Sequence, residues 1–116
     1  MADGTYDFNE EYRKQINGDI REAAKKFQAG ALGVIAVCRK LRQYQTVVEK
    51  YAPELGAALM TFVAVDSETD ALPIGQIREM WHPSTIHAED EKVRQAELTY
   101  HAAVNDACEA VLQILA

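Results

Sequence analysis

The chain has 116 residues, 48% of them apolar and 26% charged, a length and balance that fit one folded domain spanning residues 1–116 and exclude a disordered polymer. No apolar run approaches the roughly 18–20 residues that cross a bilayer, and residues 1–11 are polar and acidic, unlike an export signal, so the expected location is the cytoplasm. Net charge is −6, unevenly spread: residues 1–52 hold nine Lys/Arg against seven Asp/Glu, whereas residues 53–116 hold three against eleven. Such a field disfavours nucleic acid and anionic membrane and favours a basic protein partner.

Taken in chain order, Phe8, Tyr12, Ile16, Ile20, Ala23 and Phe27 recur every three or four positions, the spacing of one helical face. Asp7 with Glu10 three residues later fits a capping box for its first turn. Asn17-Gly18 interrupts the segment without shifting the phase of the stripe, which leaves one bent helix or two short ones. Gly30 ends it. A second stripe follows in Ala31, Val34, Ile35, Cys38, Leu41, Val48 and Tyr51, with Arg39, Lys40 and Arg42 on the opposite side. Pro53 disfavours helical geometry at Ala52 and is itself suited to a first helical turn, so one helix stops and another starts there. Leu55, Ala58, Leu59, Phe62 and Val65 make the third stripe. Val93, Ala96, Tyr100, Ala103, Ala107, Ala110 and Ile114 make the seam of a long final helix over residues 89–115. The expected fold is all-α: an antiparallel helical bundle of about four main helices, with a short connecting helix over residues 75–81.

The stretch "FVAVDSETDALP", residues 62–73, admits a second reading. It resembles the first motif of proofreading-type 3'-5' exonucleases, and "YHAAVNDA" over residues 100–107 resembles their last. That resemblance implies Asp66, Glu68 and Asp106 as ligands of two Mg²⁺ ions and His101 as general base for the attacking water. Only 33 positions separate Glu68 from His101, too few for the sheet and middle motif of that family. No period-two alternation follows residue 73 to supply further strands. The residues therefore favour a helix over residues 62–65, with the acids finishing it.

Other site chemistries fail on spacing. Asp66, Glu68 and Asp70 alternate like the first ligands of a calcium loop, but Ala71 stands where the sharp turn needs Gly and Ile77 where a bidentate Glu is needed. His82 and His87 lie five apart rather than the helical four of a zinc pair, and there is no Gly-rich phosphate loop or nucleophile elbow. Cys38 and Cys108 lack any Cys-x-x-Cys spacing and read as two reduced core thiols. The expectation is no metal, no cofactor and no catalytic residue.

What stands out instead is "DSETDALPIGQIREMWHP". Its Asp66, Ser67, Glu68, Thr69, Asp70, Leu72, Pro73, Gly75, Arg78 and Trp81 resemble a small bacterial family of unknown function with a DSETD-x-LP-x-G-x-x-R-x-x-W signature, a resemblance that implies no activity. Arg78 and Trp81 are one helical turn apart if a short helix forms, so the guanidinium can stack on the indole. Small size, an acidic second half and the absence of an assembled active site point to a protein-binding module, most concretely an immunity-type inhibitor of a bacterial toxin. Its expected partner is a protein, such as a basic toxin domain, met through Asp66, Glu68, Asp70, Glu79, Trp81, Glu89, Asp90 and Glu91.

Overall fold

A computed structural model of the chain describes residues 10–72, 74 and 82–116, with the backbone alone for residues 83–87. Helix α1, Glu10–Gln28, runs unbroken through Asn17-Gly18, which settles the choice between one helix and two. Gly18 has open space around its Cα, while the Asn17 side chain accepts a 3.1 Å hydrogen bond from the Tyr51 hydroxyl. The residue that reads as a helix breaker thus serves as a tie to a later helix. Gly30, at φ 83°, ends α1 in a left-handed turn. Ala31 donates to the Lys26 carbonyl at 2.8 Å and Gly30 to that of Phe27 at 3.0 Å, the paired bonds that close a helix on glycine. The Asp7 half of the expected capping box lies outside the described residues.

The second stripe is carried by two helices, α2, Val34–Arg42, and α3, Gln45–Tyr51. A turn at residues 43–44 divides them, and the apolar residues on either side both reach the core. Ala52 then closes α3, donating to the Val48 carbonyl, and opens α4, Pro53–Ala58, by accepting from Gly56. Leu59 separates α4 from α5, Met60–Thr69. Residues 62–65 are therefore helical, as is Asp66 after them. The last helix, α6, Pro83–Ile114, has 32 residues, about 48 Å of helix at 1.5 Å per residue.

The fold is all-α, with no strand among the described residues. The four longer helices α1, α2, α5 and α6 pack together as a bundle, and α3 packs on α4, which in turn meets α5 and α6. Arg21 lies at Leu115 and Phe27 at His101, so α1 and α6 run antiparallel. The expected connecting helix over residues 75–81 lies outside the described residues.

One apolar cluster draws on all six helices, including Ile20 of α1, Leu41 of α2, Val48 of α3, Leu55 of α4, Phe62 of α5 and Val104 of α6. Each such side chain, removed from water, contributes about 1.5–3 kcal/mol before the entropy of ordering is set against it. On α6 the buried face is Val104, Ala107, Cys108 and Val111, and Ala103 is exposed. The seam sits one residue away from the expected one because the larger side chains at 104, 108 and 111 set the packing, whereas alanine suits either face. Among the described residues, no helix is long and apolar enough to cross a membrane.

Candidate functional site

The acidic end of α5 is built by helical geometry. Phe62, Val65, Asp66 and Thr69 share the buried face, while Ser67, Glu68 and Asp70 face water. The run DSETD is thereby divided. Asp66 is 4% exposed, with Oδ1 3.6 Å from Arg39 Nε and Oδ2 3.3 Å from Arg42 Nε. Its place among the expected surface contacts is corrected on that ground, because a carboxylate facing inward to two guanidiniums offers nothing to an outside partner. Oδ1 has charge partners but no hydrogen bond. Thr69 Oγ1 donates to the Val65 carbonyl at 2.8 Å, which keeps that hydroxyl satisfied in the core.

Arg39 does more than neutralise Asp66. Its Nη2 donates to the Thr69 carbonyl at 2.6 Å and to the Leu72 carbonyl at 2.7 Å. Read from sequence, Arg39 and Arg42 sit on the solvent side of α2; in the fold they bridge α2 to α5. Reach explains the difference, since a guanidinium on a flexible stem can start at the edge of a polar face and still end beside a buried acid.

Three acids near the start of α6 have partners within the protein. Glu89 Oε2 lies 2.8 Å from Lys92 Nζ, and Glu91 pairs with Arg94 and accepts from Gln95 at 3.2 Å. Asp90, half-buried, also has a partner. An exposed pair on one helix, such as Glu91 with Arg94, contributes only about 0.3–0.5 kcal/mol, whereas the Glu89 side chain is only 14% exposed. Glu79 and Trp81 lie outside the described residues, and Arg78 with them.

The two-metal arrangement is not assembled among the described residues. Asp66 is on a helix rather than a strand and is turned toward arginines. The His101 ring packs against Phe27 with centroids 5.2 Å apart, and Asp106 is exposed. Among the described residues no three His, Cys, Asp or Glu side chains converge as a metal site.

Glu97 is the functional-looking residue that sequence reasoning missed. It reaches from α6 to the N-terminus of α2, where Oε1 accepts from the Val34 amide at 2.7 Å and Oε2 from the Ile35 amide at 3.2 Å. Gly33 provides no side-chain cap of its own, and a Cβ there would come within 3.0 Å of Glu97 Oε2. A borrowed carboxylate therefore takes the place of a local N-cap and meets the positive end of the helix. The available signal was an acid between Val93 and Tyr100 on the inner side of an amphipathic helix.

Cys38 and Cys108 are fully buried free thiols. Burial pushes both up to about 12, and for Cys38 the charges of Cys108, Asp66 and Glu97 add to it. Thiols held neutral are poor nucleophiles. An open groove of about 620 Å³ along α1 is lined by Asp19, Arg21, Glu22 and Lys25 among others, a mixture of charges with no Ser, Thr, Cys or His in its lining. No family model, curated protein or solved structure significantly matches the chain.

Proposed function

We propose that the chain is a protein-binding module that works through an acidic edge, most concretely as an immunity-type inhibitor that neutralises a basic toxin domain. The observation that carries this reading is the division of DSETD: Asp66 is consumed inside the fold, while Glu68 and Asp70 stay in water at the end of α5. Of the six acids of α6, one serves the fold and three follow the connection after Asp70. Glu97 caps α2, whereas Glu89, Asp90 and Glu91 stand at the start of α6, beyond the connection that follows Asp70. Acids thus bracket that connection on both sides, in a half-chain with eight more acidic than basic residues. Opposite potentials speed encounter with a basic cleft, and close pairs then slow its release.

The test is capture of a partner from the native organism at low salt, followed by elution with rising salt. A basic protein retained in stoichiometric amount and released as ionic strength rises supports the reading; retention of nothing, or of a partner indifferent to salt, counts against it. Mg²⁺- or Mn²⁺-dependent digestion of labelled single strands, abolished by Glu68→Gln, would restore the nuclease reading instead.

A further inference from the structure

We infer that Arg39 is the positioning residue of the acidic edge: its guanidinium, held by Asp66, fixes the end of α5 that carries Glu68 and Asp70. A helix C-terminus leaves carbonyls without intrahelical partners and carries partial negative charge. The sequence of α5 aggravates both problems. Its last turn holds no basic residue, yet Glu68 lies in it and Asp70 directly after it, where the helix dipole disfavours them. Left to local sequence, this terminus would fray.

Arg39 supplies from α2 what α5 lacks. One Nη2 takes the carbonyls of Thr69 and Leu72 together, and Nε faces the Asp66 carboxylate. The Thr69 carbonyl also accepts the Leu72 amide at 3.0 Å, so the same oxygen closes the turn and anchors it to α2. A planar fork is required, because these directions differ and an ammonium group presents a single point of charge. Arg42 shares Asp66 but makes no contact with either carbonyl in this arrangement, which separates charge neutralisation from anchoring. The value of a fixed edge to binding rests on the function proposed above; the fixing itself does not.

Amide exchange followed residue by residue tests it without any partner. In Arg39→Ala and Arg39→Lys the Leu72 amide is expected to exchange about tenfold faster or more, the scale of losing a charged hydrogen bond. The Phe62 and Val63 amides, which bond the Leu59 carbonyl, should keep their protection, and Arg42→Ala should leave Leu72 within about twofold of wild type. If Arg39→Ala does not fold, Arg39→Lys decides alone. The inference is overturned if Leu72 exchanges at the free-chain rate in the wild type, if Arg39→Lys protects it as well as arginine does, or if Leu72, Phe62 and Val63 lose protection together. Because no partner enters the measurement, its failure is distinct from failure of the proposed function.

Discussion

Gly18 and Gly56 both lie inside helices, and replacing each by alanine should move stability in opposite directions. Alanine gains up to about 1 kcal/mol over glycine in a helix interior, because it loses less backbone freedom on folding. At Gly18 nothing lies within 4 Å of the added Cβ, so Gly18→Ala should realise most of that gain, about 0.5–1 kcal/mol. At Gly56 the Cβ would stand 2.7 Å from Glu49 Cα and 2.9 Å from Glu49 Cβ. Carbon atoms prefer about 3.5–4.0 Å, so the α3 and α4 backbones would have to part by about 1 Å. Overpacking costs about 1–3 kcal/mol, and backbone yields less readily than a side-chain tip, so the clash outweighs the propensity gain. Gly56→Ala should lose about 1–2 kcal/mol, leaving the two variants about 1.5–3 kcal/mol apart. Urea unfolding at constant m reads both as shifts of the midpoint. A Gly56→Ala protein at least as stable as wild type would refute the close approach of α3 and α4.

Glu97→Ala should destabilise by about 1–2 kcal/mol through loss of the borrowed cap on α2, and Glu97→Gln should recover part of it, since one amide oxygen can still accept; equal losses in both by chemical denaturation would remove the two-oxygen cap. The buried thiols predict an alkaline weakness. Burial raises each from the ordinary 9.0 to about 12; the raised folded value means their contribution is full below pH 9 and declines as pH rises toward 12. The limit is about 1.4 kcal/mol per thiol for each pH unit in that window. Wild type should therefore lose more stability between pH 8 and 10 than a Cys38→Ala/Cys108→Ala double variant. Tyr44 and Tyr51, also raised by burial, are common to both chains and cancel; parallel pH profiles would contradict the account.

The helices were legible because large apolar residues repeat at 3.6 spacing, and Ile16, Ile20, Leu41, Leu55, Phe62 and Val65 are all buried. The breaks at residues 43–44 and at Leu59 were not, because the apolar side chains on either side of each turn feed the same core, so the stripe continues where the helix does not. Long-range polar contacts were illegible for another reason. Arg39 and the carbonyl of Leu72 are 33 positions apart, and Glu97 and the Val34 amide 63, so no local pattern joins them. Helical phase, by contrast, was enough to divide DSETD once residues 62–65 were read as helix: Asp66 follows Phe62 by four and must face inward. Its grouping with the contact acids fails because Arg39 and Arg42, 27 and 24 positions earlier in the chain, supply the charge that lets it be buried.

The claim on which the function rests is that Glu68 and Asp70 meet a partner while Asp66 does not. Partner capture with Glu68→Lys/Asp70→Lys, compared with wild type at equal salt, addresses it directly. Both are exposed, so the fold should survive, as circular dichroism can verify. The account predicts that the captured basic protein disappears from the double variant; a folded variant that retains the same protein in the same amount would contradict it.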